Sequence, residues 1–166
     1  MSKNLKKIVL TAMLLAFEIV LSRFLSYSVW NSKIGFGFVA VAICAGLLGP
    51  VYALILGGLA DFLGAVLFPI GPYFFGFTFT AMLTGLCFGL FLYKKTNVFK
   101  VLLCVFINQF VLGLFINSYW IYLLYGSPFR VVFLSRIPQA IILTAVQFVT
   151  ILTVDKLIMP RLKRIV

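Results

Sequence analysis

GFVAVAICAGLLGPVYALILGGLADFLGAVLFPIGPYFFGFTFTAMLTGLCFGLFLY, residues 37–93, carries one group that charges at neutral pH, Asp61. A core helix or strand of a soluble protein does not stay apolar for so long, whereas a bilayer demands it. An acid inside such a run is costly and faces a neighbouring helix or a polar cavity. From Gly37 to Phe68 the run is 32 residues, about 48 Å as one straight helix against a hydrocarbon core of about 30 Å. Gly49-Pro50 divides it, because proline cannot continue the helical donor pattern and glycine permits the turn.

Composition agrees with a membrane solvent. Of the 166 residues, 64% are hydrophobic and 10% charged, against about 45–50% apolar in soluble proteins. Mean hydropathy is +1.20. The net charge of +11 invites a nucleic-acid reading, but a nucleic-acid surface needs one continuous basic patch. Here Lys3, Lys6 and Lys7, then Lys94, Lys95 and Lys100, then Lys156, Arg161, Lys163 and Arg164 lie at the ends of apolar spans, as the positive-inside rule expects. No nucleic-acid partner is expected.

The pattern predicts an all-α membrane protein, a single integral domain over residues 1–166. Six transmembrane helices are expected, at about 8–25, 37–48, 51–67, 73–93, 99–122 and 136–157. With both termini cytoplasmic, inner segments hold ten of the fourteen Lys and Arg residues, leaving Arg23, Lys33, Arg130 and Arg136 outside. A single 37–67 helix would invert the later segments and put most basic residues outside, so six is preferred. Residues 26–36 and 123–135 then read as outer loops.

Catalytic chemistry is sparse. There is no histidine, and the only acids are Glu18, Asp61 and Asp155. No phosphate-cradling Gly-x-x-x-x-Gly-Lys-Ser/Thr loop and no metal-ligand cluster occurs. Cys44, Cys87 and Cys104 are widely spaced in apolar runs and read as small buried hydrophobes. An enzyme, a cofactor and a metal site are all disfavoured.

Polar residues at membrane depth mark the candidate site. On the first helix Thr11, Glu18 and Ser22 form one polar stripe, while Ala12 and Ala16 form a small-residue stripe with Arg23 above it. Gly57, Asp61 and Gly64 share a face of the third helix; Asp61 either pairs within the bundle or faces a ligand. On the fifth, Gln109, Gly113 and Trp120 share a face, with Asn108 and Tyr119 on the adjacent one. These amides and rings either join helices or await a heteroaromatic ligand. Arg136, Ala140, Leu143 and Gln147 share a face of the last helix, where Arg136 either snorkels to water or binds a carboxylate. Trp30 and Lys33 stand in a polar, aromatic outer loop that folds over the bundle or forms an interfacial belt.

Several stretches together resemble a known family. They are Glu18-Ile-Val-Leu-Ser-Arg-Phe24, Lys33-Ile-Gly-Phe36, Gly57-Gly-Leu-Ala-Asp-Phe-Leu-Gly64, Phe68-Pro-Ile-Gly-Pro-Tyr73, Gly76-Phe-Thr78, Asn117-Ser-Tyr-Trp120 and Arg136-Ile-Pro138. The chain resembles a substrate-binding (S) component of the energy-coupling factor (ECF) vitamin transporters, in the folate-specific branch. The resemblance implies a six-helix subunit in the cell membrane that captures folate from outside. It then docks on a membrane coupling subunit driven by two ATP-binding-cassette ATPases and tilts in the bilayer to release the vitamin. The family's Ala-x-x-x-Ala contact with the coupling subunit matches Ala12 and Ala16.

For such a ligand, Trp30, Tyr119 and Trp120 suit stacking on the pterin, and Asp61, Asn108 and Gln109 suit its donor and acceptor edge. Arg23, Lys33 and Arg136 suit the glutamate carboxylates. Tyr73 and Asn117 join the candidate set through the matched stretches. An S component for another vitamin and a ligand-free membrane scaffold are the competing readings.

Overall fold

The computed structural model describes residues 3–29, 32–69, 71–94 and 96–162. Apart from one short hairpin, the described elements are helical: α1 (Lys3–Arg23), β1 (Ser26–Val29), β2 (Ser32–Gly35), α2 (Phe38–Leu48), α3 (Pro50–Leu67), α4 (Phe75–Leu92), α5 (Val98–Tyr125) and α6 (Phe129–Leu162). Among the described residues α3, α4, α5 and α6 are long and apolar enough to cross a membrane.

The chain breaks where glycine and proline meet. Gly49 takes φ 97°, a conformation that L side chains resist, and its N–H closes α2 on the Ala45 carbonyl. Pro50 then opens α3, where its missing N–H costs nothing. With 11 residues, α2 is about 16 Å long, short of a full span. Nine of its residues are buried. It is the inner post of the bundle, and its apolar surface meets other helices.

The pair α3 and α4 approaches most closely. A β-carbon on Gly57 would lie 2.5 Å from the Ala81 carbonyl oxygen, and one on Gly85 would run into the Ala53 backbone. Bare backbone on each helix therefore sits against the other, the small-residue route to tight packing in lipid. The opposite face of α3 is different: Val51, Ile55, Leu59, Phe62 and Val66 are exposed, in the spacing of one lipid-facing stripe.

Cys44, Cys87 and Cys104 are all buried in the apolar core, where they act as small hydrophobes.

Three features depart from expectation. The stretch read as an outer loop contains an antiparallel hairpin, with Ser26 opposite Gly35 and Val29 opposite Ser32. The segment 123–135 is mostly helix: α5 continues to Tyr125, Gly126 ends it in the left-handed region at φ 64°, and α6 starts at Phe129. Pro138 therefore lies well inside α6 rather than in its first turn. Finally, Ile107–Ile116 within α5 and Val154–Ile158 within α6 are π-helical.

Candidate functional site

A cavity of about 730 Å³ opens between α1, α3, α4, α5 and α6, within the range of sites that enclose a drug-sized ligand. Each helix contributes polar atoms from one face. From α1 come Glu18, Ser22 and Arg23; from α3, Asp61; from α4, Thr80 and Thr84. Helix α5 adds Asn108, Gln109 and Asn117, and α6 adds Arg136, Gln139 and Gln147. Gly71, Pro72, Tyr73 and Phe74 of the α3–α4 connection line it too.

The α6 wall follows from simple periodicity. Arg136, Ala140, Leu143 and Gln147 recur at helical spacing and all line the cavity. Gln147 lies eleven positions after Arg136, so the polar wall extends along about 16 Å of the helix. Gln147 is buried, and its Oε1 has no hydrogen-bond partner. The Nε of Arg136 is likewise buried and without one. Such groups cost free energy until a partner arrives.

The α5 wall follows from a departure from periodicity. Gln109, Gly113, Asn117 and Ile121 all line the cavity at steps of four. In an α-helix each step of four drifts by about 40°, so the ends of that row would stand about 120° apart. The wider turns of the π stretch rotate less per residue and hold the row in line. Asn108, buried at the same level, donates Nδ2 to the Cys104 sulfur at 3.7 Å and leaves Oδ1 without a partner.

The same π stretch explains where Trp120 goes. On regular helical geometry it shares the Gln109 face; in the structure it does not line the cavity. Its Nε1 donates to Thr80 Oγ1 at 2.9 Å, and its ring lies 5.7 Å from that of Phe74. Trp120 backs the wall that Phe74 forms. Tyr119 also lies off the cavity and is exposed. Trp30 lies outside the described residues, and of Lys33 only the backbone is described.

Asp61 is tied to the α3–α4 connection. Thr78 Oγ1 donates to Asp61 Oδ2 at 2.7 Å, and Thr78 lies 3.0 Å from the Tyr73 hydroxyl. A threonine hydroxyl has one proton, so Tyr73 is the donor to Thr78 and the order Tyr73→Thr78→Asp61 is fixed. Arg23 reaches the C-terminal end of α3, donating Nη1 to the Phe68 carbonyl at 3.3 Å.

The site thus collects Arg23, Asp61, Tyr73, Asn108, Gln109, Asn117 and Arg136 from the sequence-derived candidates. It adds Glu18, Ser22, Thr80, Thr84, Gln139 and Gln147. For Glu18, Ser22 and Gln147 the signal was a shared face at helical spacing; for Gln139 there was none. Ala12 and Ala16 are elsewhere, exposed on the outer face of α1 beside exposed Met13 and Phe17.

Comparison with known proteins accords with this arrangement. Residues 6–154 match the family described as ECF transporter, substrate-specific component. The folate transporter FolT of Clostridium novyi (strain NT) is 36% identical over 150 residues, 90% of this chain and 87% of that protein. The folate transporter FolT of Leuconostoc mesenteroides is 32% identical over 124 residues, 74% and 66% of the two chains. A crystal structure of FolT bound with folic acid superposes with a TM-score of 0.85 at 30% identity, covering 90% of this chain and 92% of that one. A helical membrane chain with a polar cavity and this family match over nearly its whole length is no enzyme: it belongs to the substrate-specific components of ECF transporters.

Proposed function

We propose that the protein is the folate-capture subunit of an ECF-type importer in the cell membrane. The observation that carries the reading is the cavity's polarity, with two guanidinium side chains, Arg23 and Arg136, and buried amides at Asn108, Gln109 and Gln147. Folate has the complementary halves. Its flat pterin carries donors and acceptors along one edge, which suit amides and Asp61. Its glutamate carries two carboxylates, which suit guanidinium forks. That relatives at 36% and 32% identity are folate transporters supports the same ligand here.

In this reading all six helical segments form the bundle, with both termini inside. The cation–π contact of Lys7 with Tyr52 joins the start of α1 to the start of α3. Phe24 and Phe68 join their far ends, so the two helices run parallel. Lys6, Lys7, Lys94, Lys156 and Arg161 then gather towards the inner surface. Ala12 and Ala16, exposed on α1, give a close-approach surface for the membrane coupling subunit, which two ATP-binding-cassette ATPases drive.

Titration of Arg23→Ala and Arg136→Ala with folate tests the assignment. Each loses a charge-assisted hydrogen bond to a carboxylate, about 1.5–3 kcal/mol or roughly ten- to hundredfold in affinity. Parent-like affinity in both variants contradicts it.

A further inference from the structure

Arg23 meets α3 at two points. Its Nη1 donates to the carbonyl of Phe68, the residue that caps α3. The rest of its guanidinium lies on Gly64, where a β-carbon would come within 2.7 Å of Nε, 2.9 Å of Nη2 and 3.2 Å of Cζ. Two nearly equal distances to nitrogen and a longer one to carbon put the Nε/Nη2 edge of the fork, not its face, against bare backbone. The rings of Phe24 and Phe68 meet edge to face at 5.3 Å, which fixes α1 to α3 at this level. Gly64 itself does not line the cavity.

We propose that Gly64 is a positioning residue for Arg23 and so sets the preference for ligands that carry the glutamate carboxylates. The proposal rests on the reading of the cavity as a folate site. A side chain at position 64 occupies the seat of the fork edge and displaces the guanidinium, which carries the Nη1 donor with it. The long arginine stem then swings towards water at the membrane surface. A guanidinium recognises a carboxylate through a rigid, directional pair of donors, so displacement removes the contact while the charge stays. The loss falls on the carboxylate end of the ligand and spares the pterin end.

The test compares folate with pteroate, which keeps the pterin and lacks the two glutamate carboxylates, its single carboxylate sitting directly on the aminobenzoate ring. Binding to the purified chain is measured for the parent, Gly64→Ala, Arg23→Ala and the double variant. Gly64→Ala is expected to weaken folate about tenfold or more and to leave pteroate within about twofold. The double variant is expected to bind folate no more weakly than Arg23→Ala alone, because both changes remove one contact. Unchanged folate binding by Gly64→Ala, or equal weakening of folate and pteroate, overturns the proposal. Should Gly64→Ala fail to fold, Arg23→Lys carries the test: it keeps the charge but has no fork to seat, so retention of the parent's folate-over-pteroate preference overturns the proposal as well. A parent that binds neither ligand overturns the folate reading instead.

Discussion

Thr78 on α4 donates its hydroxyl proton to Asp61 on α3 at 2.7 Å, and that bond orders the Tyr73 hydroxyl above it. Thr78 is buried, while Asp61 and Tyr73 line the cavity. Thr78→Val keeps the shape and removes the hydroxyl, which leaves a carboxylate oxygen and a phenol without their partner. The expected cost is about 1–3 kcal/mol, read as a lower thermal midpoint in detergent. Thr78→Ser should recover most of it. Equal midpoints for valine and threonine would show that the relay contributes nothing.

The α3–α4 contact gives a second prediction. A β-carbon on Gly85 meets the Ala53 backbone, which cannot rotate away as a side chain can. Gly85→Val must therefore push the helices apart, at a cost of about 1–3 kcal/mol or more. Less monodisperse protein should be recovered by gel filtration in detergent. Gly126→Ala is the control for generic glycine effects, since no atom lies within 4 Å there, although its φ of 64° adds local strain. A Gly85→Val chain that behaves like the parent contradicts the packing account.

Ala12 and Ala16 give the third. Both are exposed and neither lines the cavity. Ala12→Trp or Ala16→Trp should leave folate binding intact and prevent close approach of a partner helix. Pull-down of the coupling subunit and ATPases measures this, and normal recovery of the complex from either variant sinks the assignment.

What was legible in the sequence followed regular helical geometry. The break at Gly49-Pro50 is written in two residues whose backbone preferences allow little else, and Gly49 adopts the positive φ this requires. The wall of Arg136, Ala140, Leu143 and Gln147 was legible because α6 keeps α-helical spacing through that stretch. Trp120 was not, because the π stretch before it shifts the phase of everything that follows, and no residue type announces a π turn. The start of α6 was hidden by Gly126, Pro128 and Arg130, which read as loop punctuation. The hairpin at Ser26–Gly35 was hidden because each strand has only four residues, too few for alternation to stand out. Residues that a glycine seats, such as Arg23 on Gly64, became visible only once the helices were placed together.

The measurement that tests the central claim most directly is calorimetric titration of folate into the purified chain in detergent, without partner subunits. Saturable one-to-one binding is predicted, because the cavity is lined by this chain's own residues. Absence of binding to folate and to reduced folates, from protein shown to be folded, would contradict the claim.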